Sequence, residues 1–155
     1  VATPPHFRHI GFDFRLLNQE VLLPKIHKWL KPGGHFLITI MDWLPFESEI
    51  AMKSEKLILK YNPAWSGCGR KRSTPSVPKC AEGLFDAKNI IAYATDIPFT
   101  SESWNGRIKA CRGIEASLTS AEIEKWEAEH KKMLAEYPEI FKIPHFITIM
   151  DLVKI

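Results

Sequence analysis

The tetrapeptide Lys31-Pro32-Gly33-Gly34 constrains the fold more than any other segment, because it separates two different patterns of apolar residues. Before it, apolar residues recur at helical spacing behind Asn18, which can serve as an N-cap. Proline cannot continue a helix, and glycine accepts the left-handed backbone of a sharp exit. After it, residues 36–41 form a continuous apolar run, which is typical of a strand covered on both faces. The sequence therefore predicts a tight turn, a buried strand and a helix with one apolar face formed by Leu22, Ile26, Trp29 and Leu30.

The rest of the chain continues to alternate between helix and strand signals. Thr119 and Glu122 form a capping box, so the helix that follows them is strongly indicated. Residues 1–17 are a poorly defined stub, in which His9–Phe14 could form one short strand. The other predicted elements are a helix over Glu47–Tyr61, a long loop over 63–82, a strand over Asn89–Phe99, with Ile90–Phe99 its apolar part, a short helix capped by Thr100 and a final buried strand over His145–Val153.

Composition limits the class of protein. A chain of 155 residues that is 45% apolar and 25% charged suits one globular domain, which we assign to residues 18–155. Its apolar runs are far shorter than the roughly 18 residues of a membrane span. Three cysteines without a CxxC pair argue against a disulfide framework and predict a reducing, cytoplasmic setting. The net charge of +3 does not favour a nucleic acid partner, and the basic run Arg70–Arg72 is interpreted as a solvated loop.

Three common kinds of reactive site find no support in the sequence. His6 and His9 are three residues apart, but no third ligand follows at a metal-binding spacing. There is no Gly-x-Ser-x-Gly elbow, and Cys111 lies on a helical stripe that indicates packing. The segment Gly67-Cys68-Gly69 has neither the spacing nor the flanks of a nucleotide-binding loop. The sequence therefore predicts no metal site and assigns no catalytic residue.

Aromatic residues and arginines gather near the predicted ends of the strands. In open α/β sheets, ligands bind beyond the carboxyl ends of the strands. Trp43 follows the end of one predicted strand, and Trp104 lies at the start of the helix that follows another. Arginine is suited to carboxylate recognition. An equally direct interpretation is that the tryptophans are core residues and that Arg112 is a cap or a surface ion pair. The candidate residues for a substrate pocket are Trp43, Trp65, Trp104, Arg107 and Arg112.

Several motifs resemble one enzyme family. The segment Leu30-Lys31-Pro32-Gly33-Gly34 resembles the turn between a helix and the fifth strand of class I S-adenosylmethionine-dependent methyltransferases of the small-molecule type. The segments 42–47, Lys60-Tyr61-Asn62-Pro63-Ala64-Trp65 and 98–107 resemble a bacterial subgroup of the same family. The resemblance runs from about residue 12 to the end, and it corresponds to the C-terminal half of the family's domain.

The resemblance implies an α/β fold, namely the C-terminal part of a Rossmann-like methyltransferase sheet with flanking helices. The family's sheet has seven strands, and the last is antiparallel and inserted between the fifth and the sixth. Residues 36–41 would be the fifth strand, 90–99 the sixth and 145–153 the seventh. The candidate pocket residues would then contact a small-molecule methyl acceptor.

The same resemblance implies S-adenosylmethionine as the cofactor, but it assigns no residue of this chain to the family's main cofactor-binding loop. We therefore expect a truncated domain that is inactive without an N-terminal cofactor-binding half. We also expect self-association through the incomplete sheet, because an open edge offers unpaired backbone groups. The alternative is a non-catalytic α/β binding module for an anionic ligand or partner.

Overall fold

The computed structural model describes residues 7–9, 14, 17–73 and 76–155, the side chains of 7–9 excepted. It shows an α/β protein in which helices flank a small, largely antiparallel sheet. The strands are β1 (Phe7–His9), β2 (His35–Trp43), β3 (Phe85–Thr100) and β4 (Ile140–Lys154). The helices are α1 (Gln19–Trp29), α2 (Glu49–Tyr61), α3 (Ser101–Lys109) and α4 (Ser120–Leu134), and 3-10 turns occupy Pro45–Glu47 and Lys79–Ala81.

The strand order is β1-β2-β4-β3. The short β1 runs parallel to β2, with Phe7 opposite His35. The amide of Lys154 donates to the carbonyl of Gly34 at 2.8 Å, and the amide of Leu44 donates to that of Pro144 at 2.9 Å, so β4 runs antiparallel to β2. The last strand therefore lies antiparallel between the two other long strands, which is the order that the resemblance implied.

The turn from α1 into β2 forms as predicted. The side chain of Asn18 accepts the amide of Val21 and caps the helix, which ends at Trp29. Gly33 has φ of 71°, in the left-handed region that favours glycine. A Cβ on Gly34 would lie 2.9 Å from the carbonyl oxygen of Lys31, so this position also has no room for a side chain.

The described residues cluster into two compact units, and the three long strands contribute residues to both. The first unit contains residues 1–41, 73–93 and 147–155. Its core lies between α1 and one face of the sheet, and it is formed mainly by Leu23, Ile26, Leu30, Phe36, Ile38, Ile40, Phe85, Met150 and Leu152. The second unit contains residues 42–72 and 94–146, and its core is formed by α2, α3 and α4 around Trp43, Trp104 and Trp126.

The prediction that the strand after the turn is covered on both faces is wrong. Phe36, Ile38 and Ile40 are buried, whereas Thr39 is exposed and Met41 is 43% exposed. Residues alternate between the two faces of a strand, and in the described part of the first unit α1 packs on only one of them. The apolar run therefore indicated a strand correctly but overstated its burial.

Other boundaries differ from the predicted ones by a few residues. Two strands are longer than expected, since β3 begins at Phe85 and β4 at Ile140. The short strand expected over His9–Phe14 falls largely outside the described residues, and β1 ends at His9. The helix α3 ends at Lys109, and a series of turns follows it. In the described part of the chain, helices long and apolar enough to cross a membrane are absent.

Candidate functional site

Trp43 is the last residue of β2 and is held by a buried carboxylate. Its indole Nε1–H donates to Oε1 of Glu55 on α2 at 2.7 Å. The second carboxylate oxygen of Glu55 accepts the amide of Gly69 at 2.9 Å. Glu55 is only 3% exposed. Because its two carboxylate oxygens bind different segments, this one side chain fixes both the end of β2 and the loop after α2.

The neighbours of Glu55 only partly offset the effect of its burial, so its pKa stays above the ordinary value of a glutamate. Burial raises its pKa, while the bonds from the amide of Gly69 and the indole of Trp43, and the positive charge of Arg70, act in the opposite direction. A buried carboxylate needs such donors because water is not there to solvate it. The loop residues Gly69 and Arg70 thus belong to the environment of the Glu55 carboxylate.

The loop between α2 and β3 folds back onto the 3-10 turn that follows β2. The guanidinium of Arg72 donates two bonds to the carboxylate of Glu47, at 2.8 Å and 2.6 Å. The ammonium of Lys71 lies 5.2 Å from the ring centroid of Phe46. Two residues of the basic run, expected to be a solvated loop, are therefore used in contacts within the chain.

Arg107 on α3 lies over the ring of Trp43. The central carbon of its guanidinium is 5.2 Å from the indole ring centroid, and the residue is half-buried. A stacked guanidinium keeps its N–H donors at the rim of the plane, where they can still reach a carboxylate. The Trp43–Arg107 pair is the feature of this unit best suited to hold an anionic group.

Trp104 is fully buried and lies in contact with Trp43. The two rings meet edge to face, with centroids 5.9 Å apart, and Phe99 contacts Trp104 from 5.0 Å. The indole N–H of Trp104 donates to the hydroxyl of Ser54 at 2.9 Å. Trp104 therefore supports Trp43 from within the core and presents no surface of its own.

Trp65 and Arg112 lie near Gly113 rather than in the Trp43–Arg107 pair. A Cβ on Gly113 would stand 3.0 Å from the Trp65 ring, so the indole packs directly on that backbone. The side chain of Asn62 donates to the carbonyl of Gly113 at 3.1 Å and holds the same contact. Arg112 is exposed, and its carbonyl accepts the hydroxyl of Ser117 at 2.6 Å. Of the five predicted pocket residues, Trp43 contacts both Trp104 and Arg107.

A buried polar chain beneath this cluster was not predicted. Ser54 lies 3.0 Å from Nε2 of His130, and Nδ1 of His130 lies 2.8 Å from the amide oxygen of Asn105. The amide nitrogen of Asn105 donates to Glu127 at 3.1 Å. With a neutral His130 protonated on Nδ1, the ring donates to Asn105 and its Nε2 faces the Ser54 hydroxyl, which also lies 2.9 Å from the carbonyl oxygen of Ile50.

Burial determines what the side chains of this hydrogen-bonded series can do chemically. Ser54 and His130 have no exposed surface, so this Ser-His pair is closed to substrate and does not serve as a nucleophile and its base. Desolvation lowers the pKa of His130 to about 4, partly offset by the negative charge of Glu127. His130 is therefore neutral at neutral pH. The hydrogen-bonded residues from Trp104 to Glu127 form a structural network of the core.

His145 on β4 is a second buried histidine. Its Nδ1 lies 2.8 Å from the carbonyl oxygen of Ile143, and its ring stacks on Phe99. Burial lowers its pKa; the bond to Ile143 opposes this shift, Arg107 adds to it and Asp42 opposes it. Among the described residues, its Nε2 has no hydrogen-bond partner.

The remaining features of the described residues do not add a second reactive site. No group of three or more His, Cys, Asp or Glu side chains there could hold a metal ion, and the three cysteines are free thiols. An open groove of about 340 Å³ lies between α2 and α4, lined by Lys53, Lys56, Leu57, Lys60, Glu129 and Met133. None of the predicted pocket residues lines this groove.

Comparisons with known proteins leave the family open. No family model matches the chain, and no curated protein matches it. A solved structure from Bacillus halodurans, described as a putative methyltransferase, aligns over 96% of this chain and 68% of its own length, with a TM-score of 0.44 and 12% identity. That similarity is too low to carry an argument about fold or function.

Proposed function

We propose that this chain supplies the acceptor-binding part of an S-adenosylmethionine-dependent methyltransferase that acts on a small molecule. The strand order carries the proposal, because β4 lies antiparallel between β2 and β3. This is the arrangement that the resemblance in the Lys31–Gly34 turn implies for the last three strands of that family. The short parallel β1 beside β2 is consistent with the family's fourth strand.

The acceptor would bind at the carboxyl ends of β2 and β3. These two strands are both antiparallel to β4, so they run in the same direction. Their carboxyl ends therefore lie at the same end of the sheet. Trp43 ends one strand, and α3 with Arg107 directly follows the other. In the proposed role, Arg107 pairs with an anionic group of the acceptor, and Trp43, which is 8% exposed and lies under the guanidinium, orients Arg107 from the core.

The other candidates take different places in this proposal. Trp104 positions Trp43 from below through their edge-to-face contact. Trp65 and Arg112 extend the acceptor site along the loop next to Gly113. The protein's part in methyl transfer is to orient the acceptor and to exclude water.

The described residues do not fit the main binding loop of the cofactor. Such a loop needs glycines between the end of a strand and the start of a helix, where the backbone approaches the ligand closely. The described glycines with positive φ are Gly33 and Gly83, which each precede a strand, and Gly69, which lies in the loop after α2. S-adenosylmethionine, when bound, would supply the methyl group on its sulfonium, and we assign none of its contacts to this chain.

Calorimetry with S-adenosylhomocysteine on this chain and on a chain extended upstream tests the proposal. We expect binding by the extended chain only. Absence of binding by either chain would overturn the methyltransferase assignment and favour the alternative, a non-catalytic module that binds an anionic ligand through Arg107.

The acceptor site has a separate test with benzoate as a simple aromatic carboxylate. An NMR titration that follows the Trp43 indole N–H should show a shift in the wild type and none in Arg107→Met. Lys132→Met, which removes an exposed cation from α4, is the matched control and should behave as the wild type. A response that survives Arg107→Met would refute the role of Arg107.

A further inference from the structure

The outer strand of the sheet, β3, has the features of a pairing edge. In the described part of the chain, the strand order gives it one neighbour, β4. It is 16 residues long, and between Asp86 and Asp96 every residue except Ala92 is exposed. Ile90, Ile91 and Tyr93 are 40%, 52% and 47% exposed. A long exposed strand at an edge is a template for pairing with another strand.

The sequence of β3 lacks the usual protection in its middle. Natural edges are guarded by charges or proline, and here these lie at the two ends, as Lys88, Asp96 and Pro98. The seven residues between Lys88 and Asp96 are uncharged and rich in β-branched and aromatic side chains. Such a segment favours strand pairing over solvation.

We propose that β3 pairs antiparallel with β3 of a second copy of this chain, with Ala92 on the two-fold axis. An antiparallel pair related by a two-fold axis must place one residue opposite itself, because hydrogen-bonded and non-hydrogen-bonded positions alternate. Centring the axis on Ala92 places Lys88 of each copy opposite Asp96 of the other. It also places Ile91 opposite the Tyr93 of the second copy, a β-branched and aromatic pair of the kind that stabilises sheets.

Neighbouring registers lack this complementarity. An axis at Ile91 would place Asp86 opposite Asp96 of the other copy, which is repulsive. An axis at Tyr93 would place Lys88 opposite Pro98 and Ile90 opposite Asp96. Among axes from Ile90 to Tyr93, the one at Ala92 alone pairs opposite charges, and by symmetry it does so twice. The two four-stranded sheets would then join through their β3 edges.

Charge reversal tests the partner and the register together. Light scattering and sedimentation over a dilution series should show a concentration-dependent dimer. Lys88→Asp places two carboxylates opposite each other at both ends and should weaken the dimer by roughly tenfold or more. The double variant Lys88→Asp with Asp96→Lys should restore it. Asp86→Lys, which lies opposite Pro98 in this register, is the matched control and should leave the dimer unchanged.

Cysteine crosslinking tests the axis itself. In Ala92→Cys the two new thiols face each other, within the 4.4–6.8 Å between Cα atoms that a disulfide requires. In Ala94→Cys they are offset by four residues along the strand, or roughly 13 Å, and cannot bond. We expect a crosslinked dimer from Ala92→Cys only, with the wild type as the background for the three native cysteines. A monomer at all concentrations, or a dimer that ignores charge reversal or crosslinks through Ala94→Cys, would overturn the proposal.

Discussion

The indole of Trp43 and the carboxylate of Glu55 are joined by a 2.7 Å hydrogen bond inside the protein. The other oxygen of the same carboxylate holds the amide of Gly69. One side chain on α2 therefore ties the end of β2 to the loop after that helix. If Arg107 and Trp43 bind an acceptor, Glu55 is the residue that keeps the indole in place for it.

Removing the Glu55 side chain should destabilise the fold. Glu55→Ala leaves the buried Trp43 indole N–H without an acceptor, at a cost of about 1–3 kcal/mol, and it also removes the acceptor of the half-buried Gly69 amide. Urea unfolding monitored by tryptophan fluorescence measures the change in free energy. Glu49→Ala removes an exposed glutamate of the same helix; it is the control and should cost much less. Equal effects of the two substitutions would contradict the central role of Glu55.

The polar chain under Trp43 should make stability depend on pH. The pKa of His130 is about 4 in the folded protein, below its ordinary value of 6.5, because burial disfavours the imidazolium. As the pH falls below 6.5, the unfolded chain gains a proton first. The stability that His130 contributes is therefore complete above pH 6.5 and is lost between pH 6.5 and about 4.

Urea unfolding at pH 7.5 and pH 5 measures this effect. We expect a loss of about 2 kcal/mol from His130 at pH 5, where few carboxylates have titrated. His145 adds a loss of the same sign, because burial lowers its pKa too. His130→Gln should be less stable at pH 7.5 and should show a smaller loss between the two pH values. An unchanged pH dependence in that variant would show that His130 does not carry it.

The sequence predicted the elements that depend on local signals. Asn18, Thr119 and the Pro32-Gly33 turn act through neighbours within a few residues, and all three form as expected. In each case the information lies within one or two turns of the chain.

The features that were missed depend on distant partners. Glu55 follows Ala51 and precedes Ile58 at helical spacing, which is the only local sign of its burial. Its carboxylate oxygens accept bonds from Trp43 at the end of β2 and from Gly69 in a loop. A helical pattern cannot identify partners that lie outside the helix. The partners of His130 come from α2 and α3 for the same reason. Burial of β2 on both faces was also overpredicted, since an apolar run does not show which helices cover it.

The capping box of α4 should contribute measurably to stability. The amide of Thr119 donates to the carboxylate of Glu122 at 2.9 Å, and the Thr119 hydroxyl accepts the amide of Glu122 at 3.4 Å. Thr119→Ala should cost about 1 kcal/mol, measured by thermal or urea unfolding. Thr119→Ser keeps the acceptor and should cost much less. A cost for serine as large as that for alanine would show that the hydroxyl bond is not the source.

Two glycines of the second unit should respond to alanine with opposite signs. A Cβ on Gly113 would lie 2.7 Å from Cγ2 of Ile58 and 3.0 Å from the Trp65 ring, whereas a Cβ on Gly106 would meet nothing within 4 Å. Gly113→Ala should therefore destabilise the protein by about 1–3 kcal/mol through overpacking. Gly106→Ala lies within α3 and should stabilise it by about 0.5–1 kcal/mol, because alanine loses less backbone entropy in a helix.

Urea midpoints of both alanine variants and the wild type provide the measurement. Because the substitution is chemically the same at both positions, the difference between them isolates the close packing of Trp65 and Ile58 on residue 113. Indole fluorescence of Gly113→Ala should change as well, since the added methyl displaces Trp65. A Gly113→Ala protein as stable as the wild type, with unaltered fluorescence, would mean that the loop carrying Trp65 does not pack tightly on this backbone.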